Sequence, residues 1–303
     1  MYFCDIKSFY QTVYTEMNPT IKPTINLNGR IMDLSTPRVM GILNVTPDSF
    51  YSSSRKQSEQ EICSRIEEIV REGADIIDIG AYSSRPDASH IPQEEEMERL
   101  RKGLSLIHEV APQMPVSVDT FRAEIARICV EEYGAALIND ISGGEMDDRM
   151  FDTISRLKVP YIMMHMQGTP QNMQQAPHYE HLMQEILEYF SKKKAFLQAA
   201  GVKDIIIDPG FGFGKTIQHN YELLHHLDDL HILECPILVG VSRKSMIYKV
   251  LETDPQQALN GTTVLHTLAL LKGAHILRVH DVKACTEVIK LIKEYNQCSS
   301  ISE

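Results

Sequence analysis

What this sequence lacks excludes several classes of protein. Its six cysteines form no C-x-x-C pair, and no basic segment followed by an apolar stretch opens the chain, so we expect a reduced, cytoplasmic protein. No apolar run approaches the ~18 residues that a membrane span needs. Positive charge is also scarce, because 30 Lys and Arg stand against 41 Asp and Glu and leave a net charge of −11. A general attraction to nucleic acid or an anionic membrane is therefore not expected, and any phosphate must meet a local basic pocket.

Two familiar kinds of catalytic motif are missing as well. The chain has no G-x-S-x-G elbow and no Ser/His/Asp order, which argues against hydrolysis through a nucleophilic serine. Gly210, Gly212 and Gly214 have the spacing neither of a dinucleotide-binding loop nor of a complete phosphate-binding P-loop. The pairs His178/His181 and His225/His226 fall on helical stretches without ligands at zinc-site spacing, so metal binding there is not predicted.

The stretch around Asp208 is the most informative part of the chain. Ile205 to Ile207 predict a strand buried on both faces, and Pro209 ends its pairing. The glycines that follow allow the backbone to approach a ligand closely. We therefore predict that Asp208 lies at the carboxyl end of a strand, at the mouth of a site; the alternative is a flexible turn after a core strand.

Eight such apolar runs alternate with helical sequence from Val39 onward. They are 39–45, 75–79, 115–118, 136–138, 159–164, 205–207, 236–239 and 275–277. The first helix is predicted to begin at Ser58, because Ser58 and Glu61 form a capping-box pattern. Eight strand–helix units over roughly 255 residues predict an α/β protein with the (β/α)₈ TIM-barrel fold, and a doubly wound sheet is the alternative.

The residues before the barrel form two further parts. Residues 1–24 have little periodicity and predict an N-terminal extension, outside a barrel domain of residues 25–303. Ile25 to Leu27, the pair Asn28-Gly29 and Ile31 to Leu34 predict a β-hairpin that acts as a plug.

A polar residue follows every predicted strand, which favours a barrel with a ring of loops over an open sheet. Asp119, Asn139, Asp208 and Lys244 would form a wall of donors and acceptors suited to a planar heterocycle such as a cyclic guanidine. Two structural alternatives stay open, namely pairing of Asp208 with Lys244 and loop capping by Asn139. Met163, Met164 and Met166 are expected to line the top of the barrel.

A second set of residues is cationic. Arg85, Arg243, Arg278 and His280 follow predicted strands of an acidic protein and indicate an anion site, although surface salt bridges are the alternative for each arginine. Asn44 offers a neutral oxygen of the kind that Mg²⁺ accepts beside substrate phosphates; its alternative is an Asx turn.

Eight ordered segments, which span residues 39–296 with their surroundings, resemble the motifs of dihydropteroate synthase. They are 40–50 (MGILNVTPDSF), 84–86 (SRP), 117–120 (SVDT), 138–141 (INDI), 164–168 (MHMQG), 208–215 (DPGFGFGK), 242–245 (SRKS) and 278–282 (RVHDV). The resemblance implies a cytoplasmic, homodimeric barrel enzyme of folate biosynthesis. Such an enzyme joins 6-hydroxymethyl-7,8-dihydropterin diphosphate to 4-aminobenzoate and releases pyrophosphate.

The same resemblance implies roles for individual residues. The pterin would be held by Asp119, Asn139, Asp208 and Lys244. The diphosphate would be held by Arg278, His280, Ser84 and Arg85, with Mg²⁺ at Asn44. The aminobenzoate would lie against Phe213 and Ser242, with Arg85 on a mobile loop.

The sequence departs from the family pattern in two loops. Tyr82 replaces an acidic residue and Ser84 a threonine, and residues 51–54 are serine-rich where a Ser-Asp-Gly-Gly type of segment is usual. Because these loops complete the aminobenzoate site, a pterin-binding paralogue without synthase activity is one alternative. A corrinoid-linked pterin methyltransferase is another, but it does not need the diphosphate residues.

Overall fold

A computed structural model of the chain describes residues 23–46, 55–83 and 90–299. The strands are β1 (Thr24–Leu27), β2 (Arg30–Asp33), β3 (Arg38–Asn44), β4 (Ile76–Gly80), β5 (Val116–Asp119), β6 (Leu137–Asp140), β7 (Tyr161–Met164), β8 (Ile205–Asp208), β9 (Leu238–Val239) and β10 (Ile276–Val279). The α-helices are α1 (Arg55–Arg71), α2 (Gln93–Val110), α3 (Ala123–Tyr133), α4 (Met150–Leu157), α5 (Leu182–Ala199), α6 (Ile217–His225), α7 (Ser245–Tyr248), α8 (Leu259–Leu271) and α9 (Val282–Ser299). Two 3₁₀ helices cover Leu227–Leu233 and Pro255–Gln257.

Strands β3 to β10 form one eight-stranded sheet of parallel strands. Its order runs from β8 through β7, β6, β5 and β4 to β3, and then to β10 and β9. A parallel bridge between Ile207 and Ile237 joins β8 to the residue just before β9 and nearly closes the ring. The order therefore follows the chain around a barrel, which confirms the predicted fold. A doubly wound sheet would instead reverse its order at a switch point.

The inward-facing residues change from apolar to polar along each strand. Ile76, Leu137, Ile206 and Ile276 belong to one buried cluster at the floor of the barrel. Two residues further along the same strands lie Asp78, Asn139, Asp208 and Arg278. Because side chains alternate between the faces of a strand, these polar groups point to the same side as the floor residues, one layer higher.

The N-terminal hairpin covers the floor. Its turn residues Asn28 and Gly29 have φ values of 52° and 84°, as a two-residue hairpin turn requires. Ile25, Leu27 and Leu34 pack in the floor cluster, and the Asn28 side chain donates to the Gly134 carbonyl at 2.8 Å. The predicted plug is therefore confirmed, and it closes the end of the barrel opposite the polar layer.

The helix boundaries contain one correction. Helix α1 begins at Arg55, so Ser58 lies inside the helix and the predicted capping box is wrong. Serine and glutamate at this spacing also occur within helices, where propensity alone cannot fix the first turn. Residues 1–22 lie outside the described part, so the domain boundary near residue 24 stays a prediction. In the described part of the chain, no helix is long and apolar enough to cross a membrane.

The plug gives a test of what holds the floor. Ile25 is 1% exposed, whereas Ile31 of the same hairpin is 67% exposed. We expect Ile25→Ala to lower the free energy of unfolding by about 2–5 kcal/mol, because it leaves a cavity in a closed cluster. The matched change Ile31→Ala should cost less than about 1 kcal/mol. Equal losses in urea titrations of the two variants would show that the hairpin does not seal the barrel.

Candidate active site

Three carboxylates and two cations meet at the carboxyl ends of the strands. Asp119 is the last residue of β5 and Asp208 is the last residue of β8, whereas Asp78 lies inside β4. Arg278 lies on β10, and Lys244 follows β9. In parallel strands these ends share one edge, so the barrel brings together residues that are up to 200 positions apart.

Arg278 connects two of the carboxylates. Its Nε donates to Oδ2 of Asp78 at 2.6 Å, and its Nη2 donates to Oδ2 of Asp119 at 2.8 Å. Asn139 donates from Nδ2 to the same oxygen of Asp78 at 3.2 Å. Asp78 is fully buried, and these bonds offset part of the cost of removing its carboxylate from water. Asp119 and Asn139, predicted to share a wall, are thus linked through Arg278 and Asp78.

Asp78 was not among the predicted site residues. The available signal was a single acidic residue within the otherwise apolar β4 sequence Ile76-Ile77-Asp78-Ile79, where an unpaired charge would be costly. Asp78 lies inside the strand, so a search for polar residues just after the strands does not find it.

Asp208 and Lys244 interact through their charges while each also bonds to one loop. Oδ1 of Asp208 accepts from the backbone N–H of Gly210 at 2.8 Å, and Nζ of Lys244 donates to the carbonyl of Phe211. Burial lowers the pKa of Lys244 to about 8, and the Asp208 carboxylate opposes this change. The interaction between Asp208 and Lys244, which the sequence left open, is therefore compatible with both side chains facing a ligand.

Burial also acts on the carboxylates. It raises the pKa of Asp119 and of Asp208, while Arg278 counteracts the increase at Asp119 and Lys244 counteracts it at Asp208. Such a site favours ligands that bring N–H donors to the carboxylates, because these replace the lost hydration. Ring nitrogens of a planar heterocycle meet that need.

The first strand contributes Asn44 beside Asp119. A Cβ atom on Gly80 would lie 3.4 Å from Cβ of Asp119 and 3.7 Å from Oδ1 of Asn44, so the glycine leaves the two side chains close together. Asn44 is exposed. The described residues contain no group of three or more His, Cys, Asp or Glu that could hold a metal ion. The single neutral oxygen of Asn44 fits a cation that takes most of its ligands from the oxygens of a bound substrate, as Mg²⁺ often does.

His280 and Ser242 touch each other. The backbone N–H of His280 donates to Oγ of Ser242 at 3.2 Å, and Nδ1 of His280 lies 3.1 Å from the same oxygen. A residue predicted for the diphosphate thus adjoins one predicted for aminobenzoate, which places the two expected half-sites side by side.

Arg243 is bound by the chain itself. Its Nε and Nη2 donate to the two carboxylate oxygens of Asp281 at 2.8 and 2.7 Å, and its Nη1 donates to the carbonyls of Pro255 and Gln256. The salt-bridge alternative that the sequence left open is the one observed. Arg243 therefore holds the loop after β9 in place and does not offer its guanidinium to an anion.

The upper rim of the site is apolar and rich in methionine. One cluster at this rim contains Phe121, Ile141, Met164, Met166 and Met173, with Tyr82, Met146 and Phe213 packed against it. Met164 and Met166 therefore line the barrel top as predicted. The prediction for Met163 is wrong, because alternation along β7 turns its side chain into the layer between strands and helices.

Tyr82 connects three strand exits. Its ring packs edge-to-face on Phe121 with centroids 5.0 Å apart, and its hydroxyl accepts from Nε2 of Gln171 at 3.0 Å. Arg122 lies over the same ring at 5.7 Å. Ser84, Arg85 and the serine-rich 51–54 loop lie outside the described residues, so their predicted roles stay predictions.

The contacts of Arg243 generate a stability prediction. Arg243 and Asp281 have side chains that are each 24% exposed, and we expect Arg243→Met to lower the free energy of unfolding by about 1–3 kcal/mol. In the matched control Arg149→Met, the lost pair with Asp147 involves an arginine side chain that is 65% exposed. That change should cost less than about 1 kcal/mol. Denaturant titrations that rank the two variants the other way would refute the structural role of Arg243.

Comparisons with known proteins agree with this geometry. Residues 40–280 match the family model described as pterin binding enzyme. Dihydropteroate synthase of Escherichia coli (strain K12) is 39% identical over 269 residues, which cover 88% of this chain and 94% of that protein. The Haemophilus influenzae dihydropteroate synthase is 40% identical over 268 residues, 87% of this chain and 96% of that protein.

Solved structures give the same result. The Yersinia pestis dihydropteroate synthase in complex with a sulfonamide drug superposes with a TM-score of 0.83 at 37% identity, covering 91% of this chain and all of that one. The Xanthomonas albilineans dihydropteroate synthase with 4-aminobenzoic acid superposes with a TM-score of 0.81 at 37% identity and covers 91% and 98% of the two chains.

Proposed function

Since this chain belongs to the dihydropteroate synthase family of pterin-binding enzymes, we propose that it is a transferase that makes 7,8-dihydropteroate in folate biosynthesis. It joins 6-hydroxymethyl-7,8-dihydropterin diphosphate to 4-aminobenzoate and releases pyrophosphate. The observation that carries the proposal is the network at the mouth of the barrel, where Asp119 and Asn139 are joined through Arg278 and Asp78, and Lys244 interacts with the charges of Asp208, Arg278 and Asp119.

The pterin fits the polar layer by its chemistry. A 2-amino-4-oxopyrimidine ring has parallel N–H groups that a carboxylate can accept, and Asp208 is buried enough for such bonds to be strong. Lys244 donates to the ring carbonyl, and Asn139 and Asp119 bond to the other edge of the heterocycle. The methionine-rich rim covers the flat faces of the ring.

The diphosphate is proposed to lie at the adjoining cationic side. Arg278 and His280 face it, and the family resemblance adds Ser84 and Arg85, whose roles rest on the sequence alone. Because Arg278 already donates to two carboxylates, we expect it to bind phosphate through its remaining N–H groups. Mg²⁺ held by Asn44 and phosphate oxygens would neutralise the charge that develops on the departing pyrophosphate.

The reaction forms one C–N bond and breaks one C–O bond and one N–H bond, whose proton passes to water. The amino nitrogen of 4-aminobenzoate attacks the exocyclic methylene carbon of the pterin, and the C–O bond to the diphosphate breaks with its electron pair on pyrophosphate. The amino group then loses a proton. Positive charge develops on the pterin as the bond breaks, and Asp119 and Asp208 stabilise it electrostatically. Phe213 and Ser242 flank the arylamine, and the family resemblance assigns Arg85 to the same half-site.

A homodimer is proposed from the apolar face of the last helices. Val264, Leu268 and Leu271 of α8 are 50%, 44% and 53% exposed, and Leu291 and Tyr295 of the adjacent α9 are 70% and 67% exposed. Spacings of three or four residues place each helix's members on one face. Exposed apolar residues on one face of each of two adjacent helices favour an interface, and a second copy of the chain would cover them. The cytoplasmic location stays a prediction.

One assay separates the candidate functions. Purified protein with Mg²⁺ and both substrates should yield dihydropteroate and pyrophosphate in equal amounts. Binding of the pterin diphosphate without product would favour the non-catalytic paralogue. Methyl transfer from methyltetrahydrofolate, without product from the diphosphate, would favour the corrinoid-linked methyltransferase.

The lowered pKa of Lys244 gives a pH prediction. The protonated amine is the stronger donor, so the contribution of Lys244 to pterin affinity should be full well below its pKa of about 8 and fall as pH rises through that value, by at most about tenfold per unit. The dissociation constant of a diphosphate-free pterin, measured from pH 6.5 to 9.5, tests this.

Lys244→Met supplies the control. This variant should bind the pterin less tightly by about 1–3 kcal/mol at pH 7, and its pterin affinity should not decline at alkaline pH. The ligand titrates identically with both proteins, so the difference between the profiles isolates the amine. Parallel profiles would contradict the assignment of Lys244 to the pterin.

A further inference from the structure

The glycine loop after β8 is held by side chains along its whole length. Five successive carbonyls, from Gly210 to Gly214, each accept a hydrogen bond from a side chain. Gln174 donates to Gly212 at 2.7 Å and Tyr179 to Gly214 at 2.8 Å. Lys244 donates to Phe211, and Lys215 donates to the two carbonyls that remain. A segment rich in glycine, which would otherwise have many conformations, is thereby fixed.

Lys215 is the member of this set that lies inside the protein. The residue is 3% exposed. Its Nζ donates to the carbonyls of Gly210 at 3.1 Å and Phe213 at 3.2 Å, and it lies 3.0 Å from Nδ1 of His165. Lys215 therefore ties the loop after β8 to the loop after β7.

The loops after β7 and β8 pack closely enough for the Lys215 amine to contact both. A Cβ atom on Gly210 would lie 1.9 Å from the carbonyl oxygen of His165, and one on Gly214 would lie 2.5 Å from that of Gln167. The glycines thus allow backbone to rest on backbone, and the Lys215 amine fills the remaining polar space between the loops.

Burying an ammonium group costs free energy, so stability alone does not account for the buried Lys215. Burial lowers the pKa of Lys215 to about 7, which reflects the cost of removing the charge from water. Apolar residues of similar volume often replace buried ions with no loss of stability. The geometry of its acceptors instead points to a role in fixing the backbone of Phe213.

Phe213 connects this buried amine to the site. Its carbonyl accepts from Lys215, while its ring lies 4.6 Å from Nζ of Lys244 and packs against the rim cluster. The backbone at Phe213 sets where each rotamer places the ring, and the contacts with Lys244 and the rim cluster favour the rotamer observed.

We propose that Lys215 is a positioning residue for the second substrate. It holds the Phe213 backbone so that the phenyl ring forms a wall for the arylamine beside Lys244. The inference rests on the proposed function, since Phe213 is assigned to the 4-aminobenzoate half-site there. Lys215 touches neither substrate, and its effect passes through Phe213.

The test is a double-mutant cycle on Lys215→Met and Phe213→Ala. Lys215→Met keeps the side-chain length and removes the donors; it should raise KM for 4-aminobenzoate at least tenfold and change the dissociation constant of a diphosphate-free pterin less than threefold. If Lys215 acts through Phe213, adding Lys215→Met to Phe213→Ala should raise KM less than about threefold further. A general loss of structure would reduce the active fraction and pterin binding together.

The matched control is Lys194→Met. Lys194 is half-buried and donates to the carbonyl of Leu233 at 2.5 Å, outside the glycine loop, so both kinetic constants should stay within about twofold of wild type. Should Lys215→Met not fold, Lys215→Gln serves in its place, because it keeps one donor and should give a smaller rise in KM with unchanged pterin binding.

Three results decide the matter. An unchanged KM in the folded variant, or KM effects that multiply fully in the double mutant, would overturn the inference. A wild-type protein without turnover would contradict the proposed function instead. The same variants would then test the inference through the dissociation constant of 4-aminobenzoate, measured by calorimetry in the presence of pterin and pyrophosphate.

Discussion

The ion pairs of Arg278 with Asp78 and Asp119 are the interaction on which the mouth of this barrel depends. The guanidinium places one nitrogen 2.6 Å from Asp78 and another 2.8 Å from Asp119, so it fixes two carboxylates on adjacent strands. Without it, the fully buried Asp78 would leave an uncompensated charge, at a cost of about 3–5 kcal/mol. Asn139 is oriented by the same carboxylate, so these contacts position Asp119 and Asn139, two of the four residues proposed to hold the pterin.

The barrel makes this arrangement possible by separating a dry layer from a polar one. The floor is filled by isoleucine and leucine and sealed by the hairpin, so it excludes water from below. One layer above, the inward positions carry charges that are bound by one another, by Asn139 and by the backbone of the loop after β8. A site built in this way has its groups oriented before the ligand arrives, which reduces the entropy lost on binding.

Much of this could be predicted from the sequence, because strand exits are marked by abrupt changes in composition. Asp119, Asn139 and Asp208 follow apolar runs, and all three were expected at one pocket. Position alone could not reveal partners that require three-dimensional contact. Arg243 and Arg278 both follow predicted apolar runs, yet Arg243 is bound to Asp281 and two loop carbonyls, whereas Arg278 is bound to Asp78 and Asp119 of the polar layer, and nothing in the local pattern distinguishes the two.

Residues within elements were harder to predict than residues at their ends. Asp78 is hidden inside β4, and Lys215 ends a glycine motif without any local sign that its amine turns inward. The start of α1 was predicted three residues late because Ser58 and Glu61 match a cap equally well in mid-helix. In each case a tertiary contact, absent from a window of a few residues, decides the role.

Arg278 and Asp78 organise the proposed pterin wall, although the sequence motifs place neither of them against the pterin. Calorimetry of a diphosphate-free pterin with Asp78→Asn tests it most directly, because this substitution keeps the volume and removes the charge that binds Arg278. The account predicts an affinity at least tenfold below wild type, about 1.4 kcal/mol, in a protein that remains folded. An affinity within twofold of wild type would contradict it.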